Sequence, residues 1–397
     1  MTARRTCLGL PLNNSTESRV QTSPTESKVD VLHLTSVHSA DDSRIFGKEC
    51  VSLARAGYRV GIVVPEEGTC MRRVDGVDII PVRRRSKRPG RMLASTISVA
   101  VTGLRRRASV YHFHDPELIP IGLALRLLGK RVIYDAHEDV PRDILFKNWI
   151  PPYLRRITAV TMAAVEWFTG HTLSGVVAAT PIIARRFPAR RTALVQNFAR
   201  LSEFAVPEEP PHSGGHAIAY VGGLTVERCA IEMVEAVARV KRYPDARLIL
   251  AGNIESEALT TELAAMEGWP RVEYRGFQSR TGVARILSEA AAGLALFHPM
   301  QSYMESQPVK MFEYMAAGLP VIAADFPRFR DIIEGSRCGI CVPPRNPADI
   351  AGAIEWIFDH PEEAREMGRR GRRLVLDIFN WEGQEKSLLQ LYQRILA

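Results

Sequence analysis

Glu305 and Glu313 flank Lys310 in a segment whose pattern predicts a loop, a short helix and a strand. Pro308 suits the start of the helix, and Gly318 suits the position just after its end. Lys310 and Glu313 are three residues apart and therefore share one helix face. A carboxylate accepts hydrogen bonds from a sugar diol, and a cation near a helix N-terminus attracts a diphosphate. The segment therefore predicts a site for a molecule that carries both groups.

A second phosphate-binding pattern is a strand that runs into a glycine turn and then a helix. Gly222 and Gly223 form the turn, and Arg228 follows five residues later. Glycines let backbone N–H groups approach a phosphate closely, and an arginine adds a bidentate contact. A glycine pair alone also fits an ordinary tight turn. Phe277, after a later strand, fits either stacking on a nucleotide base or packing in the core.

Histidines follow two consecutive predicted strands of the first half of the chain. His114 ends the predicted strand at 110–114, and His137 follows the strand at 131–135. Because ligands of parallel sheets bind beyond the carboxyl ends of the strands, both histidines are candidate site residues. The first strand is followed by a polar loop that contains Arg44, and Ser43 is predicted to cap the next helix.

Short apolar strands alternate with helices twice along the 397 residues, which predicts an α/β protein with two doubly wound parallel sheets. Prolines at 207, 210 and 211 indicate a linker between them. The predicted divisions are a disordered tail at 1–28, a first Rossmann-like domain at 29–200, a linker at 201–215, a second Rossmann-like domain at 216–378 and a final helix at 379–397.

The formal net charge of +8 indicates anionic partners. Nine basic residues between Arg83 and Arg107 fit either a solvated loop or contact with an anionic membrane surface. No aromatic residues interleave with them, which disfavours nucleic acid. Six scattered cysteines fit a reducing cytoplasm, and no apolar run is long enough to cross a membrane. The helix near 153–169 is predicted to lie in the core.

The string from Glu305 to Ile322 resembles the nucleotide-sugar signature of the retaining glycosyltransferases of the GT-B fold, family 4. The resemblance extends to the Gly222 turn, to the strand-end histidines and to the last helix, which in the family crosses back onto the first domain. It implies two Rossmann-like domains that face each other across a cleft, with the acceptor side in the first and the donor in the second.

The resemblance also implies a role for each candidate residue. The expected catalytic residues near the transferred sugar are Glu305 and His114. The expected donor-binding residues are Gly222, Gly223, Arg228, Phe277, Lys310 and Glu313, with Glu313 on the ribose diol. Many relatives have a glycine pair where this chain has Asp41–Arg44. Arg44 and His137 are therefore expected only as residues of the acceptor side or its loop.

The implied reaction is a retaining transfer of a hexosyl or N-acetylhexosaminyl group from a nucleotide-diphosphate sugar, with UDP-sugars favoured over GDP-sugars. Expected acceptors are a glycan, a lipid-linked molecule or a secondary metabolite. No cofactor or metal is expected, because Arg228 and Lys310 supply positive charge at the diphosphate. The expected location is the cytoplasm, with the inner face of the membrane as an option. A nucleotide-sugar epimerase of the same fold and a catalytically silent partner subunit stay open as alternatives.

Overall fold

The computed structural model describes residues 29–66, 68, 70–83, 91–147, 149–204 and 215–397. Three predicted features lie wholly or partly outside these ranges. They are the tail at 1–28, residues 84–90 of the basic stretch and most of the linker. Among the described residues, no helix combines the length and the apolar character needed to cross a membrane.

The first sheet has eight strands in the order β3-β4-β2-β1-β5-β6-β7-β8. All neighbours are parallel except β3 and β4. The strands are β1 (Val29–Leu34), β2 (Val60–Glu66), β3 (Arg72–Val74), β4 (Val77–Arg83), β5 (Ala108–Phe113), β6 (Arg131–Ala136), β7 (Gly175–Ala178) and β8 (Thr192–Leu194). The inner strands are almost fully buried, as expected for a sheet covered on both faces.

Helices connect these strands and cover the sheet. They are α1 (Val51–Arg55), α2 (Arg91–Arg105), α3 (Ile119–Leu127), α4 (Val140–Phe146), α5 (Pro152–Thr172) and α6 (Pro181–Ala184), and a π-helical turn (Ile45–Cys50) precedes α1. The prediction that Ser43 caps this first helix is wrong. The carboxylate of Asp42 accepts hydrogen bonds from the backbone N–H groups of Arg44 and Ile45 instead.

The second sheet has six parallel strands in the order β11-β10-β9-β12-β13-β14. They are β9 (Ala217–Val221), β10 (Arg247–Ala251), β11 (Val272–Gly276), β12 (Ala292–Ala295), β13 (Val321–Ala324) and β14 (Gly339–Val342). The order reverses direction at β9, between β10 and β12. Two doubly wound sheets confirm the predicted pair of Rossmann-like domains.

The helices of the second half alternate with its strands. They are α7 (Ala230–Arg239), α8 (Glu257–Ala264), α9 (Arg280–Glu289), α10 (Gln301–Met304), α11 (Val309–Ala316), α12 (Pro327–Ile333), α13 (Pro347–Asp359), α14 (Pro361–Asp377) and α15 (Trp381–Leu396). The segment around Glu305 is thus a loop, α11 and β13. Gly318 has a φ of 75°, the left-handed conformation expected just after a helix end.

The chain divides into two compact units, one of residues up to Gln196 together with Gln384–Ala397 and one of Asn197–Gly383. The division falls at Asn197, four residues before the linker expected at 201–215. Helix α15 begins in the second unit and packs on the first. In the first unit, the Tyr392 hydroxyl of α15 lies 2.8 Å from Nδ1 of His112 on β5.

Helix α5 does not lie in the core as expected. Four of its large side chains, at intervals of four, three and seven residues, are mostly exposed: Tyr153 (76%), Ile157 (65%), Val160 (70%) and Trp167 (57%). Its buried positions are mainly small or polar, for example Ala159, Thr169 and Gly170. Many of the apolar side chains of α5 therefore form a face that is exposed to solvent. The four residues Tyr153, Ile157, Val160 and Trp167 are named here the α5 strip.

Candidate functional site

The Gly222 turn follows β9, where the strand order of the second sheet reverses. Gly222 has a φ of 131°, which L-residues with a Cβ rarely adopt. A Cβ on Gly222 would lie 3.0 Å from Nζ of Lys310, and one on Gly223 would lie 3.1 Å from Nη1 of Arg228. Side chains at these two positions would therefore crowd the two cations, Lys310 and Arg228, that lie beside the turn.

Lys310 extends from α11 into an aromatic cavity beside this turn. Its Nζ lies 3.6 Å from the centre of the Tyr220 ring and 5.3 Å from that of Phe297, and it has no hydrogen-bond partner. Burial lowers the pKa of Lys310 well below its ordinary range, and the positive charge of Arg228 lowers it further. The ammonium is thus held near another cation without an acceptor.

Arg228 ends the short helical turn that follows the glycines. Its Nη1 donates a long hydrogen bond of 3.4 Å to the carbonyl oxygen of Gly223, and its buried Nε has no partner. Two adjacent cations with unmet donors and a glycine turn at a strand end form a site suited to a diphosphate. The structure thus brings together four of the sequence-predicted donor residues.

Glu313, one turn after Lys310 on α11, is buried and already has one partner. Its Oε1 accepts a hydrogen bond of 2.7 Å from Nη2 of Arg280. The same guanidinium donates to Oε2 of Glu203 at 2.9 and 2.5 Å. Because Arg280 occupies one oxygen of Glu313 and orients the carboxylate, Oε2 is the atom with capacity for a further donor.

Glu305 and Phe277 are less buried than Lys310 and Glu313. Glu305 follows α10, and its Oε1 accepts a hydrogen bond of 2.6 Å from Nε2 of Gln301. Phe277 follows β11 and is 68% exposed, so it is not a core residue. An exposed aromatic ring after a strand end fits stacking on a base better than packing.

Arg44 is buried in the first unit and paired within the protein. Its Nη2 donates to Oδ1 of Asp135 at 3.0 Å, its Nε to Oδ2 at 3.3 Å and its Nη1 to the carbonyl oxygen of Val195 at 3.0 Å. Nη2 also lies 3.2 Å from Oε1 of Glu49. This packing favours a structural role over the contact with substrate that the sequence suggested.

His114 is also fully buried. Its Nδ1 lies 2.9 Å from Oδ2 of Asp135, and its Nε2 lies 2.8 Å from Nδ1 of His33. Both ring nitrogens are therefore engaged inside the first unit, and the structure presents neither to a substrate. The expectation that strand-end position makes His114 catalytic gains no support from this packing.

His137 lies nearer the surface, and the sequence missed the residue that accompanies it. The ring of His38 meets the His137 ring edge to face at 5.1 Å. The hydrogen bond that His38 donates to the Asp42 carboxylate raises the pKa of His38, and the nearby Asp115 carboxylate raises it further. Asp115 in turn accepts hydrogen bonds from Thr35 and Ser36, which fixes the loop after β1. In the sequence, the only feature that could have pointed to His38 as a site residue is its position after the end of a strand.

Two family models match the two halves of the chain. Residues 49–196 match the model of Glycosyltransferase Family 4, and residues 203–374 match that of Glycosyl transferases group 1. The second range contains the glycine turn, both cations and both glutamates described above. The chain belongs to the group 1 glycosyl transferases. The suspected resemblance is thereby confirmed, as is the class of enzyme.

Three relatives of this glycosyltransferase each share less than a quarter of their aligned residues with it. The MMP α-(1→4)-mannosyltransferase of Mycolicibacterium hassiacum is 22% identical over 318 residues, which cover 74% of this chain and 72% of that one. Sucrose-phosphate synthase of Thermosynechococcus elongatus has a TM-score of 0.71 at 19% identity, over 93% of this chain and 99% of the other. HepE of Anabaena in complex with UDP-glucose has a TM-score of 0.68 at 13% identity, over 92% and 99%. The structural likenesses confirm the GT-B fold.

Proposed function

We propose that this glycosyltransferase binds a nucleotide-diphosphate sugar on its second unit and transfers the hexosyl or N-acetylhexosaminyl group with retention of anomeric configuration. One observation carries the proposal: Lys310 and Arg228 place unpartnered nitrogens beside the Gly222 turn. In this role both cations bind the diphosphate oxygens. Glu313 accepts from the ribose diol through Oε2, and Phe277 stacks on the base.

The proposed step needs no metal at the diphosphate, because the two cations stabilise the charge that develops there. The bond between the anomeric carbon and the diphosphate oxygen breaks, and its electron pair stays on that oxygen. The acceptor hydroxyl forms the new bond on the same face. Its proton passes to the departing phosphate oxygen. Glu305 accepts hydrogen bonds from hydroxyls of the transferred sugar.

UDP-sugars are the favoured donors, with GDP-sugars next. HepE, which has the same fold, was solved with UDP-glucose, and this supports the first choice. The name of the mannosyltransferase relative specifies an α linkage, which supports retention where the donor is itself an α anomer. A glycan acceptor is consistent with the α-(1→4) linkage in the name of the mannosyltransferase, and a lipid-linked molecule or a secondary metabolite stays open.

A thermal-shift panel of UDP-, GDP-, ADP- and dTDP-sugars in EDTA tests the donor assignment. A ligand at about 100 times its dissociation constant stabilises a protein by about 2.7 kcal/mol. We expect the sugars of one base to raise the melting temperature without added metal. A folded sample that responds to none of them contradicts the assignment and favours a silent partner subunit. If a donor does bind, its turnover separates an active transferase from a catalytically silent subunit that binds nucleotide sugars.

We propose further that the acceptor is reached at an anionic membrane surface through the α5 strip. The strip combines two aromatic and two β-branched side chains that face water. Trp149, which is 77% exposed, precedes it, and Arg155 and Arg156 lie beside it. Aromatic rings at the headgroup level with adjacent cations are the composition of an interfacial helix. The Arg83–Arg107 stretch, of which residues 84–90 lie outside the described residues, stays a second proposed contact.

A further inference from the structure

A second cluster of chemistry-bearing side chains lies in the first unit, apart from the proposed donor groups. Its members are His33 on β1, Glu49 in the π-helical turn, His112 on β5 and His114 just after β5. All four are fully buried. One nitrogen or oxygen atom from each lies within 4.8 Å of those of the other three.

The sheet itself assembles this cluster. β1 and β5 are adjacent parallel strands in which His33 pairs with His112. His114 comes two residues after His112, and side chains at alternate positions of a strand point to the same face. The ring centres of the three histidines are consequently 4.6 to 5.1 Å apart. Glu49 completes the group from the turn that packs on this face.

Several polar atoms of the cluster lack a partner although they are buried. Nε2 of His33, Nε2 of His112 and both carboxylate oxygens of Glu49 form no hydrogen bond. The ion pair of Glu49 with Arg44 does not meet this need, because that guanidinium directs its hydrogen bonds to Asp135 and Val195. Buried polar atoms are nearly always satisfied, so four orphaned atoms within this group of side chains indicate a missing binding partner.

Two nitrogens of the cluster have partners that do not belong to it. Nδ1 of His114 faces the Asp135 carboxylate at 2.9 Å, and Nδ1 of His112 faces the Tyr392 hydroxyl at 2.8 Å. A histidine that ligates a metal characteristically binds a carboxylate or another acceptor through its second ring nitrogen. His114 thus has a carboxylate on one ring nitrogen and turns the other, Nε2, to His33 within the group, as a ligand would.

We propose that His33, Glu49, His112 and His114 form a closed structural site for a divalent transition-metal ion, with Zn²⁺ as its occupant. Three imidazoles and one carboxylate suit Zn²⁺, and four protein ligands without an open position are typical of structural zinc. The ion replaces the direct hydrogen bond between His33 and His114. It joins β1, β5 and the π-helical turn, and it touches neither Lys310 nor Arg228.

The location of the ion can be tested because the chain holds a second group of possible ligands, Cys229, Glu232 and His298, in the other unit. The full chain is produced with zinc in the medium, and its metal content is measured after gel filtration. We expect one equivalent of Zn²⁺ in the wild type and in His298→Gln. His112→Gln and Glu49→Gln should lose most of it. Zinc that persists in both cluster variants, or disappears in His298→Gln, overturns the assignment.

A measurement on the unmodified chain covers the case in which the variants do not fold. The protein is unfolded with a chelator and refolded with Zn²⁺, with Co²⁺ or with neither. We expect Zn²⁺ to raise the melting temperature and Co²⁺ to give the visible absorption of a tetrahedral N/O site. A metal-free chain that refolds with an unchanged melting temperature and gives no such absorption overturns the proposal. A chain that binds Zn²⁺ at this cluster but binds no nucleotide sugar contradicts the proposed function and leaves the zinc proposal standing. The two proposals can therefore fail separately.

Discussion

The ammonium group of Lys310 lies 3.6 Å from the centre of the Tyr220 ring and has no hydrogen-bond acceptor. Burial lowers its pKa well below the ordinary range, and Arg228 contributes in the same direction. A bound diphosphate provides both an acceptor and negative charge, so it raises this pKa. Proton binding and donor binding are therefore linked at Lys310.

The first prediction follows from the sign of this linkage. Between the lowered pKa of free Lys310 and the higher pKa of the donor-bound state, binding takes up a proton. Affinity should then fall by up to about tenfold per pH unit as the pH rises. Calorimetry of UDP-sugar binding in buffers of different ionisation enthalpy measures the uptake directly. A nucleotide sugar is the right probe because its diphosphate has no ionisation of its own near neutral pH.

Lys310→Met and Lys310→Arg are the matched variants for this experiment. The methionine variant should bind the donor weakly and without proton uptake. The arginine variant keeps a permanent charge, so any residual binding should lose its pH dependence. Proton uptake that persists unchanged in both variants would assign the titration to another group.

The second prediction concerns Glu313, whose carboxylate is oriented by Arg280. Glu313→Ala should raise the dissociation constant of the donor by about 10- to 100-fold, because a charge-assisted hydrogen bond contributes about 1.5–3 kcal/mol. Glu203→Gln is the control, since it removes the other carboxylate partner of Arg280 without altering the proposed ribose contact. Equal losses of donor affinity in the two variants would show that Arg280 pairing, not ribose binding, explains the effect.

The third prediction concerns the glycine turn. Gly222→Ala should abolish donor binding, because its Cβ would lie 3.0 Å from Lys310 Nζ and the φ of 131° strains any L-residue. Gly129→Ala carries backbone strain alone, since it has a φ of 74° and nothing within 4 Å of an added Cβ. It should lower stability by about 1–2 kcal/mol and leave donor affinity intact. Donor binding by folded Gly222→Ala at wild-type strength would exclude this turn from the site.

The fourth prediction concerns the α5 strip. Replacing Ile157 and Val160 with aspartate removes two exposed apolar side chains and adds negative charge. Co-sedimentation with vesicles of anionic phospholipid should fall at least about tenfold, while the melting temperature stays close to that of the wild type. Leu127→Asp is the control, because Leu127 is 87% exposed and lies on α3 rather than α5. Equal sedimentation of all three proteins would refute membrane contact through this strip.

The sequence predicted site residues best where those residues lie close together on one structural element. Gly222, Gly223 and Arg228 lie within one strand–turn–helix unit, and Lys310 and Glu313 lie on one helix. Spacing alone therefore placed each set correctly on its element. Most strand positions were also predictable, since β-branched and other apolar runs between turns mark buried parallel strands.

Properties that depend on distant neighbours could not be predicted in this way. Arg44 and His114 have the residue types of a site, but Asp135 on another strand binds both and holds them in the interior. The outward face of α5 was missed because an apolar helix pattern does not say which side is covered. The cluster around His33 was missed because its members come from three separate segments.

Helix α15 begins in the second unit, and its last turns, including Tyr392, belong to the first. The first unit is therefore discontinuous in the sequence. During synthesis, residues up to Gln196 emerge from the ribosome before the partner of His112 has been made, and all of the second unit is translated in between. The first unit is thus begun first and completed last, so a truncation that removes Tyr392 alters the interior of the N-terminal half.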